Sequence, residues 1–189
     1  MIHAREPIFC CHQVFRHWRP FKHFMNNRSL FSLLAFILTM TSTAVRADIR
    51  VGDVFPPLAS PGIVGANVPA TFGKVVLVDF WASWCAPCKA SFPAYMRLHS
   101  AFASKGLVIV AVSVDQDAAA FASFVRKFDP PFLVVLDRDQ RLVREVQVPT
   151  MPTSYLIDRE GRVMHIHPGF HGVETEEALR REIEKMLSN

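Results

Sequence analysis

Trp84-Cys85-Ala86-Pro87-Cys88-Lys89 is the stretch from which the fold can be read. It follows Lys74-Val75-Val76-Leu77-Val78-Asp79-Phe80, a continuous β-branched and apolar run that predicts a buried parallel strand. An amphipathic segment comes after it. Two cysteines therefore stand where a strand hands over to a helix. Free N–H groups and the positive end of the helix dipole favour a thiolate there, and the thiolate is the nucleophilic form. With two residues between them, Cys88 can reach a mixed disulfide formed at Cys85 and resolve it internally. The natural product is a reversible dithiol–disulfide couple. A zinc half-site is the first alternative, but zinc usually takes four ligands, and no second cysteine pair or suitably spaced Cys/His pair follows. A purely structural disulfide is the second, although so short a loop restrains little chain entropy.

The first 47 residues differ in kind from the rest. Leu30 to Met40 is apolar with Arg28 ahead of it, and Ser42-Thr43-Ala44-Val45-Arg46-Ala47 supplies small residues. This pattern predicts a secretory signal cleaved after Ala47, with residues 48–189 as the mature domain. The apolar run is shorter than the roughly 20 residues of a spanning helix, and retention as a signal anchor is the alternative. The basic stretch before Met25 is long for a signal, so translation is expected to begin at Met25, where Met25-Asn26-Asn27-Arg28 makes an ordinary start.

Removing the leader changes the charge argument. The chain has 21 basic and 17 acidic residues. Six of the basic residues and Glu6 precede residue 48, which leaves 15 against 16 and a net charge of about −1. The basic pI therefore belongs to the leader, and a nucleic-acid role loses its support. Cys10 and Cys11 also fall in the leader, so Cys85 and Cys88 are the only cysteines of the mature chain. In an exported protein a lone close pair reads as a redox tool rather than a framework.

The mature length fits one domain. Gly52 to Gly73, with four prolines, predicts a turn-rich approach containing a short edge hairpin. Periodicity predicts a helix over 90–104 with Pro93 kinking it, a strand over 107–114, and a helix over 117–128 ended by Asp129-Pro130-Pro131. A strand over 132–136, a short helix over 139–146, a hairpin pairing 154–158 with 163–167 and a last helix over 174–187 follow. This succession implies an α/β layered domain.

Val78-Asp79-Phe80-Trp81-Ala82-Ser83-Trp84-Cys85-Ala86-Pro87-Cys88-Lys89, with Met151-Pro152-Thr153 before a strand, resembles the thioredoxin superfamily. The additional helix and strand between Asp117 and Val146 resemble its exported TlpA/ResA-like branch. The resemblance implies a thioredoxin-like fold, a central mixed sheet flanked by helices with a helix–strand insertion before a cis-proline loop. It makes Cys85 the exposed attacking thiol, Cys88 the buried resolving one, and Trp84 and Pro87 the residues that shape the site. Pro152 would be the cis-proline, with Met151 and Thr153 beside the substrate, and the Met151 backbone would pair with an extended client. Asp79 matches the buried acid that exchanges a proton with the resolving cysteine, and burial should raise its pKa.

Ala86-Pro87 brings no histidine or charge to stabilise a thiolate, so a reducing couple is expected. Ser91 stands where many TlpA/ResA-like proteins have glutamate, which leaves a role in cytochrome c or oxidase maturation open. The implied partners are protein disulfide or thiol clients and a membrane electron donor, with no bound cofactor, in a periplasmic or extracytoplasmic setting. Two alternatives remain. His165, His167 and His171 suggest a thioredoxin-fold copper-binding chaperone, although alternation along a strand also accounts for the first two. A peroxiredoxin-like peroxidase is the other, although Ala82 stands where that family has threonine.

Overall fold

The computed structural model describes residues 48–188. The expected signal, start and cleavage site lie outside the described residues. The central run forms β2 (Val75–Trp81), whose seven residues are all buried. β2 pairs in parallel with β3 (Leu107–Ser113) on one side and antiparallel with β5 (Thr153–Ile157) on the other. Both edges of its backbone are thereby hydrogen-bonded, and its lack of polar alternation follows from having no solvent face.

β4 (Leu133–Asp137) extends the sheet in parallel from β3, β6 (Val163–Pro168) pairs antiparallel with β5, and β1 (Ile63–Gly65) pairs antiparallel with β4. The order is β1-β4-β3-β2-β5-β6, a mixed sheet. The prolines of the approach segment do not fold it into a hairpin. Three residues of it become β1, and Val54 makes a single bridge to Arg162. Turn signals marked the irregularity correctly, but the partner of so short a strand is set by the exposed edge of β4 far along the chain.

Two successive crossovers, β2 through α1 (Ala86–Phe102) to β3 and β3 through α2 (Ala118–Phe128) to β4, step in the same direction across the sheet. Right-handed connection then puts α1 and α2 on one face. Trp81 fills the junction, with ring centroids 4.9 Å from Phe92 of α1 and 4.3 Å from Phe124 of α2. Phe92 also meets Phe124, Phe128 and Phe132. The last helix, α4 (Val173–Ser188), lies beside α1 and is tied to it by Arg97 Nε donating to Glu176 Oε1 at 2.8 Å. The short α3 (Arg141–Val146) covers the other face, where the Asp137 carboxylate accepts from the N–H groups of Arg141 and Val143.

Helix α1 begins at Ala86, four residues earlier than its amphipathic pattern suggests, because Pro87 in the first turn sacrifices no helical hydrogen bond. It runs on through Pro93 as a single helix, with Pro93 itself on the exposed side. Among the described residues no helix is long and apolar enough to cross a membrane.

Phe92 is fully buried at the centre of the aromatic cluster, so Phe92→Ala is expected to destabilise the oxidised protein by about 3–5 kcal/mol. Urea unfolding of the two proteins measures this directly. A loss below about 1 kcal/mol would mean that the cluster does not hold α1 and α2 to the sheet.

Candidate active site

β2 ends at Trp81, and the chain must turn through Ala82-Ser83-Trp84 before α1 starts. That turn is held from below by Asp115, which follows β3 and is 2% exposed. Its carboxylate accepts from the Ser83 N–H at 3.0 and 3.1 Å, from Ser83 Oγ at 2.9 Å and from Ser113 Oγ at 2.8 Å. The Val114 N–H also donates to the Trp81 carbonyl at 2.9 Å. Asp115 thus clamps the loop that presents the cysteines. Nothing in its local sequence marked it, since the pairing with Ser83 exists only once β2 and β3 lie side by side.

Cys85 is the N-cap of α1, and its Sγ accepts from the Cys88 N–H at 3.2 Å. The two cysteines form a disulfide with an S–S distance of 2.06 Å and Cα atoms 5.3 Å apart. They differ in exposure: Cys85 keeps 6% of its surface and Cys88 none. The expectation of an exposed Cys85 is therefore met only in order, since most of its surface is covered too. Trp84, 69% exposed, stands beside it, and Ala86 and Pro87 are also exposed.

The Met151–Pro152 peptide bond is cis. Pro152 and Thr153 are buried and Met151 half-buried. The Gly169 N–H donates to the Pro152 carbonyl at 2.7 Å and Thr153 Oγ1 to the Thr150 carbonyl at 2.8 Å. Thr153 lies opposite Phe80 in the β2–β5 ladder, which brings this loop to the cysteine end of the sheet. Met151 lines one cleft together with Ser83, Trp84, Asp115 and Gln140. The structure thus gathers Trp84, Cys85, Met151 and the cis-proline loop at one end of the sheet.

Asp79 lies deeper, fully buried on the face covered by α1. Its Oδ1 accepts from the Tyr95 hydroxyl at 2.9 Å, and its Oδ2 is buried with no partner. Burial pushes its pKa well above the usual carboxylate range, and the Tyr95 hydrogen bond only partly opposes this. Burial, followed by the nearby Asp79 charge, raises Tyr95 as well.

The histidines sit elsewhere. His165 and His167 are on β6, separated from β2 by β5. His165 Nδ1 lies 3.2 Å from Glu182 Oε1, and His167 Nε2 lies 2.7 Å from Glu182 Oε2. They face α4 rather than open solvent. Among the described residues no group of three or more His, Cys, Asp or Glu side chains is arranged to hold a metal ion.

A cysteine pair that closes across the first turn of a helix, on a sheet of this order, defines a dithiol–disulfide oxidoreductase. The Redoxin family model matches residues 61–183, and the chain belongs to that family, within the thioredoxin superfamily. The thiol-disulfide oxidoreductase ResA of Bacillus cereus is 32% identical over 155 residues, covering 81% of this chain and 88% of its own. ResA of Bacillus subtilis is 38% identical over 97 residues, covering 51% and 54%. A solved structure from Chlorobium tepidum, assigned as a thiol:disulfide interchange protein DsbE, superposes with a TM-score of 0.66 at 35% identity, covering 74% of this chain and 99% of its own.

The raised pKa of Asp79 has a stability consequence. Its carboxyl is neutral in both states below the ordinary range near about 4. Above that, the unfolded chain gains by ionising and the folded protein does not, so the contribution of Asp79 to stability falls as pH rises toward its folded pKa. Asp79→Asn, which keeps an acceptor for Tyr95, should therefore stabilise the oxidised protein more at pH 8 than at pH 4. Urea midpoints at the two pH values test this, and an equal effect at both would contradict a raised Asp79 pKa.

Proposed function

We propose that this oxidoreductase works outside the cytoplasm as a reductant of protein disulfides, with Cys85 as the attacking thiolate and Cys88 as the resolving thiol. The observation that carries the reading is the asymmetry of the pair. Cys85 caps the helix next to Trp84, which lines the cleft, and keeps a small exposed surface for a client sulfur, whereas Cys88 is enclosed.

In the forward step the Cys85 thiolate attacks one sulfur of a client disulfide, and the other client sulfur leaves as a thiolate. Cys88 gives its proton to Asp79 and attacks Cys85, releasing the second client thiolate and closing the Cys85–Cys88 disulfide. Two electrons pass to the client. A dithiol donor then returns the pair to the reduced form, and a membrane thiol-transfer protein is the proposed source. Trp84, Pro87 and Met151 form the client-facing surface, Pro152 and Thr153 set the buried backbone beneath it, and the Met151 backbone accepts an extended client segment in strand fashion.

The direction rests on the dipeptide between the cysteines. Ala86 and Pro87 add no positive charge beside Cys85, so the reduced form gains little from thiolate stabilisation and the couple is reducing. The setting rests on the leader composition and on the persistence of disulfides in oxidising compartments.

Equilibration of the purified protein against glutathione and dithiothreitol buffers gives the reduction potential. A value near or below about −250 mV is expected, and a value near about −120 mV would make the protein a disulfide donor and reverse the proposed direction. Cys88→Ser should trap mixed disulfides between Cys85 and clients, whereas Cys85→Ser should trap none. Non-reducing gels of cell extracts read both.

A further inference from the structure

The fully buried Asp79 is a useful proton acceptor only if its carboxylate is held in one orientation and can ionise at all. The enclosure of β2 works against both. Tyr95 is the only group that donates to it among the described residues, through one oxygen, and leaves the other free.

Tyr95 also stands on the same helix as Cys88, seven residues on, so two turns of α1 bring both to the inward face above β2. Side chains on a helix lean toward its N-terminus, so the Tyr95 ring reaches back along α1 toward the turn that carries Cys88. Ser91 lies between them, fully buried, with Oγ donating to the Cys88 carbonyl at 2.9 Å. The hydroxyls of Ser154 and Ser91 both face the Tyr95 phenol oxygen, and Phe170 packs against its ring. The phenol is thus fixed from several sides, and its own proton goes to Asp79.

We propose that Tyr95 is a positioning residue for the redox cycle: it pins Asp79 Oδ1, turns Oδ2 toward the proton of Cys88, and favours the ionised carboxylate that must receive it. The inference rests on the proposed proton exchange between Asp79 and Cys88. When Cys88 attacks the mixed disulfide, the S–H proton moves to Asp79 Oδ2, the Cys88 electron pair forms the new bond to Cys85 Sγ, and the client sulfur leaves with the old pair. Tyr95 keeps its proton throughout and stabilises the charge that Asp79 carries before the transfer.

The titratable and charged groups around this step are few. From α1, Tyr95 meets Asp79 directly, and Cys88 lies two turns earlier on the same helix. From the sheet, Ser154 is its register partner on β5 and His167 the next in the row on β6, and Glu182 of α4 holds His167. None of the outer groups replaces the Tyr95 hydrogen bond on Asp79.

Reduced protein reacted with an aryl disulfide that releases a coloured thiolate separates the two steps. The first thiolate reports attack by Cys85 and the second reports attack by Cys88. For Tyr95→Phe, which removes only the hydroxyl, the second release is expected to slow about tenfold at pH 7, the scale of one hydrogen bond to a charged group. Its pH–rate midpoint should move to higher pH, and the first release should stay unchanged. Ser154→Ala should move the midpoint in the same direction by less, which supplies a second test if Tyr95→Phe folds poorly. In an Asp79→Asn background Tyr95→Phe should have no further effect.

A Tyr95→Phe midpoint unchanged from wild type, or the same slowing in the Asp79→Asn background, would overturn the role of Tyr95. If Asp79→Asn itself leaves the second release and its pH profile untouched, the proton exchange at Asp79 is what fails, and the inference falls with it.

Discussion

Burial of β2 on both faces and both edges is the constraint on which the rest of the structure depends. A strand paired on each side cannot shift its register without breaking two ladders, so the point where it ends is fixed, and with it the start of α1. The cysteines inherit that precision. The same enclosure denies water to any polar side chain the strand carries. Asp79 is the one ionisable side chain in β2, and the rigidity that positions the disulfide is also what makes this acid abnormal.

The loop between β2 and α1 has little of its own to hold it. Its order comes from Asp115 on the neighbouring strand's exit, whose carboxylate serves the Ser83 backbone, the Ser83 hydroxyl and the Ser113 hydroxyl together. A buried carboxylate needs several donors to offset its lost hydration, and a loop with free N–H groups needs an acceptor. Each meets the other's requirement. The cis-proline loop is secured in a comparable way, through the Gly169 N–H donating to the Pro152 carbonyl. Both walls of the cleft are thus anchored to sheet strands rather than left to loop sequence.

This division explains what could be read in advance. Continuous apolar runs announced β2, β3 and β4, because burial on both faces leaves a composition signal that needs no knowledge of partners. The cysteine spacing announced the disulfide for the same reason, since both sulfurs lie within one helical turn. Asp79 could be picked out because the family resemblance carries a buried acid onto that position of the strand. Asp115 and Tyr95 could not: an acid after a strand looks solvated, and a tyrosine on the inner stripe of an amphipathic helix looks like ordinary core. Their meaning lies in contacts across 32 and 16 residues of sequence. The first turn of α1 and the three-residue β1 were missed because pattern is weakest at helix ends and in very short strands. The histidines misled in the opposite sense, since alternation gave their common face correctly but not that Glu182 of α4 lies against it.

One line of polar groups crosses the α1–α4 face of the sheet. Asp79, Ser154 and His167 are register partners across β2, β5 and β6, with Tyr95 above the first and Glu182 above the last. On the adjacent line Leu77 and Leu156 are fully buried and apolar, and His165 ends it on β6 beside Glu182. A polar line through a packed face is unfavourable unless its members are satisfied, and all but one end of it is: the unpartnered atom is Asp79 Oδ2. Leaving a buried acceptor unpaired costs about 1–3 kcal/mol. Reduction places a proton on Cys88, which the proposed exchange with Asp79 would use. Under the proposed role, the deficit in the oxidised state and the partner that arrives on reduction are two halves of one cycle, and the sheet keeps an unsatisfied oxygen at the position where the chemistry will supply a donor.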